Sequence, residues 1–398
     1  VKIFNSDTPE SIAKRISIRA SEGDKIVVVV SAMGNTTDDL HKLAFSMTQN
    51  PSPREMDVLL STGEMITSTL LSMGLNDLGV DAISLSGAQA GIITDDVFGR
   101  ARISEIKTDR INTELEKGRV VIVAGFQGIS SDFDVTTFGR GGSDTTAVAL
   151  AAALGAARCE IFTDVAGVFT ADPRICSLAR PLKEIGYEEM LEMASTGARV
   201  MHARAVEIGE LYDVPILVSS SFDEDVKGTL IHREITMEQG NKVRGIAHQD
   251  KVAKVTVRGV PDQPGIAVHL FGPLAEANVS VDTIVQNASV EKLTDMTFTI
   301  APEDLVPALE VVDGVRLSLG ASEIVSEIDL GTVSIIGTGM ASAPGFAALM
   351  FKSLYENNIN IEMISTSDIR ITCVVKANRV QDAVSALHST FELDIIPQ

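Results

Sequence analysis

At 398 residues, 45% hydrophobic and 22% charged, the chain has room for two or three globular domains, each with a core of its own. Its net charge of −21, from 54 acidic and 33 basic residues, opposes attraction to nucleic acid or to an anionic membrane, and neither is expected as a partner. Cys159, Cys176 and Cys373 are widely spaced and odd in number, which argues against a disulfide framework or a zinc site. No secretory pattern opens the sequence, and the longest apolar run, Ala147 to Ala157, is too short to span a bilayer. The cytoplasm is the expected location.

In chain order, Thr8-Pro9-Glu10 predicts a helix start that runs to about Gly23, with proline at the first helical position. Lys25 to Val30 reads as a strand buried on both faces, and Ser31-Ala-Met-Gly-Asn-Thr-Thr37 follows at its C-terminal end, where ligands collect in open α/β sheets. Ser52 to Gly74 reads as a helix. A lone helical glutamate is usually solvated, but Glu64 lies among small and apolar residues and is a candidate for a site. Ala82 to Leu85 reads as a strand, Ser104 to Gly118 as a helix capped by Ser104, and Arg119 to Phe126 as a second buried strand.

The next stretch, Thr136-Thr-Phe-Gly139-Arg140-Gly141-Gly142-Ser143-Asp144-Thr-Thr146, runs into an Ala/Leu-rich helix. Its glycines permit close backbone approach, and Ser143 or Asp144 is a suitable N-cap. Free N–H groups at such a helix start suit an anion, and Arg140 adds a planar fork that matches carboxylate or phosphate. The plain alternative is a capped loop. A strand at Cys159 to Thr163 then leads into Thr163-Asp164-Val-Ala-Gly-Val-Phe169-Thr-Ala-Asp172-Pro-Arg174, and Pro215 to Val218 reads as a further strand. This strand–helix alternation predicts an α/β domain with helices on both faces.

The C-terminal part is an internal repeat. Leu274, Asn278, Val279, Val281 and Ile284 recur in constant register as Leu354, Asn358, Ile359, Ile361 and Ile364, each set following a Pro-Gly pair, Pro264-Gly265 and Pro344-Gly345. Each unit reads as strand, turn, amphipathic helix and two strands, a small α/β sandwich. Repeated modules point to regulation, with dimerisation as the alternative.

With these motifs in hand the chain resembles the aspartokinases over nearly all its length. The specific stretches are Ser31 to Thr37, Thr136 to Thr146, Thr163 to Arg174 and Gly197-Ala-Arg-Val-Met-His202. The resemblance implies a three-layer αβα amino-acid-kinase domain with a mostly parallel sheet (residues 1–230), a linker (231–250) and two βαββαβ ACT domains (251–328 and 329–398). It implies transfer of the γ-phosphoryl group of ATP, with Mg2+, to the β-carboxylate of L-aspartate. A carboxylate nucleophile is already ionised at neutral pH, so the absence of a His/Asp dyad fits this chemistry.

By resemblance, Arg140 and Ser143 hold the aspartate α-carboxylate, Glu64 its ammonium, and Ser31, Thr37, Phe126, Gly141, Gly142 and Asp144 complete the pocket. Thr163, Asp164, Phe169, Asp172, Arg174 and Arg199 line the nucleotide site. Mg2+ is bridged mainly by phosphates, so no protein metal cage is expected. The ACT domains imply feedback by lysine, threonine or both, at Asp262, Gly265, Gln286 and Asn287, faced by Asn360 and Ile361. They also imply a homo-oligomer, and a strand at Val243 to Ala247 lent to the second module.

The sequence departs from the family pattern in places. The register of Ala13 to Ile16 and Ser31 puts the family's opening Lys-x-Gly-Gly strand upstream of Val1, so Lys2 is not expected to be the catalytic lysine and roughly ten family residues are read as lacking. Arg199 and Phe169 replace a usual Lys and Tyr, and Ser219 stands where relatives often carry Arg. Two other readings stay open on sequence alone. One is a non-catalytic regulatory chain of an aspartokinase; the other is a kinase acting on glutamate or N-acetylglutamate, which the pairing of Glu64 with Arg140 disfavours.

Overall fold

A computed structural model describes residues 9–198, 200–223, 225–233, 243–286, 292–340 and 345–395. They form two compact units. The first contains the described residues up to Phe169, Pro181–Ser195 and the described residues 200–233; the second contains Thr170–Arg180, Thr196–Ala198 and the described residues from Val243 onward.

The first unit opens with α1 (Pro9–Ser21), β1 (Val27–Val30), α2 (Thr36–Met47), α3 (Pro53–Asp77) and β2 (Ala82–Leu85). It continues through β3 (Ile92–Thr94), β4 (Ile103–Ile106), α4 (Asp109–Glu116), β5 (Val120–Ala124), β6 (Gln127–Ile129) and β7 (Val135–Thr137). Then come α5 (Gly142–Leu154), β8 (Cys159–Thr163), β9 (Glu184–Gly186), α6 (Tyr187–Ser195), α7 (Ala203–Tyr212), β10 (Ile216–Ser220) and β11 (Thr229–His232).

β5 is the centre of the first sheet, parallel to β1 on one side and β2 on the other. All five of its residues are buried, as a strand covered on both faces requires. Val120 and Ile122 pack with Ile12, Ile16, Leu71 and Leu75 of α1 and α3. Val121 and Val123, pointing the other way, pack with Ile111 of α4 and Leu150 of α5. The period of two along one strand thus builds the three layers. A second sheet has the order β8-β10-β11-β9 and a third β4-β3-β6-β7. The helix expected from Ser104 is instead strand β4. Ser104 Oγ donates to Ile93 O across the β3–β4 ladder, and the helix begins only at Asp109. By length and hydropathy alone α3 could cross a membrane, but half of its most apolar window is buried in the unit. Its buried face carries Asp57, Ser61, Glu64, Thr67 and Ser68. It is a core helix with a polar stripe.

The second unit holds β12 (Gly245–Pro261), α8 (Ile266–Glu276), β13 (Val281–Gln286), β14 (Leu293–Ile300), α9 (Leu305–Arg316), β15 (Glu323–Ile336), α10 (Phe346–Glu356), β16 (Met363–Thr366), β17 (Arg370–Lys376) and α11 (Val380–Thr390). One six-stranded sheet, β13-β14-β12-β15-β17-β16, runs through both repeats. The long strand β12 passes unbroken through residues 250 and 251, the point the sequence reading gave as the end of a linker. Gly245 to Gln249 pair with Ile336 to Thr332, and Lys254 to Arg258 with Glu327 to Glu323, so each repeat is completed by half of a shared strand. The repeat register is visible in the backbone. Gly265 and Gly345 begin α8 and α10 at φ +98° and +114°, Asn278 and Asn358 follow those helices at +58° and +53°, and Leu274 and Leu354 are fully buried.

Candidate active site

Glu64 is buried on α3, 4% exposed. Its Oε1 accepts the Ala32 N–H at 3.1 Å, one residue beyond Ser31, and among the described residues its buried Oε2 has no hydrogen-bond partner. Burial pushes its pKa up to about 7, and the Ala32 bond opposes that only in part. The preceding glycine permits the approach: a Cβ on Gly63 would lie 2.8 Å from the Ala32 Cβ. Ser31 follows β1, and Thr37 lies in the first turn of α2, both half-buried.

The loop after β7 supplies the opposite charge. Gly139 (φ +75°) and Gly141 (φ +68°) take left-handed conformations that a side chain resists, and Gly141 is the N-cap of α5. Neither Ser143 nor Asp144 is therefore the cap; both lie inside the first turn, Ser143 half-buried and Asp144 buried. A Cβ on Gly142 would come within 2.8 Å of the Phe126 ring, and one on Gly141 would overlap the His202 side chain. Phe126 itself sits at φ +69°, held by its N–H to Thr146 Oγ1 (3.1 Å) and by the Phe138 N–H to its carbonyl (3.0 Å). Arg140 projects from this loop exposed and, among the described residues, forms no ion pair. An unpaired guanidinium on a glycine loop and a buried, half-satisfied carboxylate on a helix of the same unit are complementary to the two charges of an α-amino acid.

Thr163 closes β8, and its Oγ1 donates to Asp164 Oδ1 at 3.0 Å, leaving the Asp164 carboxylate exposed at the strand end. Phe169 is half-buried and bridges to Pro181. Asp172 and Arg174 belong to the second unit, where they pair at 2.6 Å; hydrogen bonds from Arg174 hold the Asp172 carboxyl below the usual range. Arg199, Lys2 and Asn287 lie outside the described residues. Among the described residues no group of three His, Cys, Asp or Glu side chains gathers to hold a metal. A phosphate-bridged Mg2+ needs only one or two carboxylates, and the exposed Asp164 fits that demand.

Of the effector candidates, Asp262 is exposed and donates its N–H to Lys292 O, Gly265 caps α8, and Gln286 ends β13. Asn360 bonds to Glu362 and Ile361 is half-buried, just before β16. β13 and β16 are the two opposite edges of the six-stranded sheet, so one chain does not bring Gln286 against Asn360 and Ile361.

Sequence reasoning missed two residues here. His202 ends the Gly197-Ala-Arg-Val-Met-His202 motif with no role read from sequence, and it is the side chain over Gly141. Asp57 lies seven positions before Glu64, the spacing of one helix face, and is 1% exposed.

The sequence profile of the amino acid kinase family matches residues 3–220, and ACT domain profiles match 255–316 and 333–391. The chain is 48% identical to an aspartokinase of Bacillus sp. (strain MGA3) over 96% of its own length and 93% of that protein. It superposes on E. coli aspartokinase III in complex with aspartate and ADP (R-state) with a TM-score of 0.83, at 26% identity and covering 98% of each chain. The same enzyme in complex with lysine and aspartate (T-state) gives 0.74, again at 26% identity and 98% of each chain. Family profile and relative agree: the chain belongs to the aspartokinase family.

Proposed function

We propose that this chain is an aspartate kinase that transfers the γ-phosphoryl group of MgATP to the β-carboxylate of L-aspartate, giving 4-phospho-L-aspartate for lysine, threonine and methionine synthesis in the cytoplasm. The observation that carries the assignment of substrate is Glu64, whose buried Oε2 lacks a partner among the described residues. A substrate ammonium supplies the missing donor. Arg140 takes the α-carboxylate as a fork, with Ser143 and the N–H groups of the α5 start beside it, while Ser31, Thr37, Phe126, Gly141, Gly142 and Asp144 shape the pocket. Held at both charges, aspartate presents its remaining carboxylate, already ionised, so the protein contributes positioning rather than a base.

Thr163, Asp164 and Phe169 are assigned to the nucleotide, and Asp172, Arg174 and Arg199 join them on the family resemblance alone. When bound, Mg2+ neutralises developing phosphate charge, and Asp164 is the carboxylate offered to it. The ACT repeats make amino-acid feedback the regulatory reading, with lysine, threonine or both as effector. Because Gln286 and Asn360 sit at opposite sheet edges, a pocket containing both would join two copies of the chain, which fits a homo-oligomer.

The test is aspartate-dependent ADP formation, with glutamate and N-acetylglutamate as controls. Turnover with aspartate alone is expected, and Arg140→Ala should raise the aspartate KM sharply or abolish activity. Turnover with N-acetylglutamate, or an unchanged aspartate KM in Arg140→Ala, would overturn the assignment.

A further inference from the structure

Asp57 is a carboxylate that the reaction as described does not use. It is 1% exposed and, among the described residues, has no cationic partner. Three donors satisfy it. Oδ2 accepts the Gly99 N–H at 2.9 Å and the Thr137 N–H at 2.8 Å, and Oδ1 accepts the Thr137 hydroxyl at 2.7 Å. A carboxylate without a counter-ion is tolerated out of water only when hydrogen bonds replace its hydration, so these three bonds are strongly held. As the fifth residue of α3, Asp57 also lies beyond the first turn, where a helix start favours an acid.

The chain segments it ties together are far apart in sequence, and each leads to the site. Thr137 is three residues before Arg140. Gly99 abuts the same loop, since a Cβ on Gly139 would meet the Gly99 carbonyl at 3.0 Å. The helix face that carries Asp57 continues through Ser61, whose carbonyl accepts from the buried Gln127 side chain at 2.9 Å, to Glu64 and its bond to Ala32. One face of one helix therefore fixes the base of the arginine loop at one end and the glutamate at the other. The fully buried pair Thr94–Thr136, with hydroxyls 2.7 Å apart, leaves the strand before the loop little freedom to adjust.

We propose that Asp57 is a positioning residue for amino-acid recognition, setting where the Arg140 loop stands relative to Glu64 through its grip on Thr137 and Gly99. The inference rests on the assignment of Glu64 and Arg140 to the two charges of the substrate. It predicts an effect specific to aspartate, because no bond of Asp57 reaches the strand end that carries Thr163 and Asp164.

The experiment is steady-state kinetics of the full chain with each substrate varied, for Asp57→Ala, Asp57→Asn, Thr137→Val and Arg140→Ala. Asp57→Ala should raise the aspartate KM by about tenfold or more and leave the ATP KM within about twofold, as loss of orientation at one substrate does. Asn can take both N–H bonds on its oxygen and turn its amide to the Thr137 hydroxyl, so Asp57→Asn should restore most of the affinity. Thr137→Val removes one of the three bonds and should fall between them. If Asp57→Ala does not fold, Thr137→Val and Asp57→Asn decide. A raised aspartate KM in Arg140→Ala with none in Asp57→Ala or Thr137→Val would overturn this inference and leave the substrate assignment intact. Equal increases in both KM values would reduce Asp57 to a structural residue. An unchanged Arg140→Ala would remove the substrate assignment and this inference with it.

Discussion

The side chain of His202 occupies the space into which a Cβ on Gly141 would project. Gly141 is also left-handed, at φ +68°, and Gly155 at the other end of α5 is left-handed too, at +59°, with nothing within 4 Å of its missing Cβ. The pair separates backbone cost from close approach. Gly155→Ala carries only the left-handed penalty, about 1–2 kcal/mol, and should lower the melting temperature with kinetics unchanged. Gly141→Ala carries the same penalty and displaces His202, so it should also raise the aspartate KM or abolish turnover in protein that is still folded. Identical kinetics in the two variants would show that the loop tolerates movement at this point.

Glu64 gives two pH signatures of opposite sense. Its folded pKa of about 7 against an ordinary 4.5 means that the folded protein favours the protonated carboxyl. The corresponding stability is fully present below about pH 4.5 and is lost as pH rises through 7, at most about 3 kcal/mol for a shift of that size. Glu64→Gln should therefore be more stable than the parent chain above pH 7, with the difference shrinking toward pH 5 in denaturant titrations. With Glu64 in its proposed role, substrate binding requires the ionised form, so the aspartate KM of the parent should fall between pH 6 and 8. A parent KM that is flat over this range would detach Glu64 from the ammonium.

Strong local signals made most of this architecture legible in the sequence. The Val-rich runs at Lys25 to Val30 and Arg119 to Phe126 are strands because four or five consecutive β-branched residues suit a sheet covered on both faces. The repeat was visible because Gly265, Leu274 and Asn278 do at turn, core and helix end what Gly345, Leu354 and Asn358 do. Ser104 misled because Ser-Glu-Ile-Lys satisfies either period over so short a span, and pairing with β3 decided it. Asp57 was illegible for a different reason: its donors are 42 and 80 residues away, and only the folded chain brings them to it.

Arg174 offers a test of the nucleotide assignment that stability cannot confuse. Its side chain is 81% exposed and its ion pair with Asp172 is two residues long. A pair whose guanidinium is this exposed contributes about 0–1 kcal/mol. Arg174→Ala should therefore leave the melting temperature nearly unchanged while raising the ATP KM, with the aspartate KM held. An unaltered ATP KM would take Arg174 out of the nucleotide site.

The segment that carries Asp172 and Arg174 is fastened inside the second unit by a buried pair. Thr170 Oγ1 and His388 Nε2 are 2.9 Å apart, the Arg180 N–H donates to the same Oγ1 at 3.1 Å, and the Ile246 N–H donates to Thr170 O at 2.8 Å. Arg180 completes the fastening with bonds to Leu393 O and Ile395 O. His388 is fully buried, its Nδ1 has no hydrogen-bond partner among the described residues, and burial lowers its pKa, assisted by Arg180 and opposed by Asp394. The folded chain thus keeps His388 neutral where the unfolded chain takes up a proton. Stability from this group is complete above the ordinary histidine range, about pH 6.5, and is lost as pH falls below it. Amide exchange slows intrinsically as the pH falls, so the readout is the protection factor, and that of Thr170 to Arg180 should fall between pH 7.5 and 5.5 in the parent. In His388→Gln the protection factor should be lower at pH 7.5 and change less with acid, because glutamine keeps a polar partner for Thr170 but has no proton to gain. An equal acid response in both proteins would show that the loss comes from carboxylates elsewhere and not from this histidine.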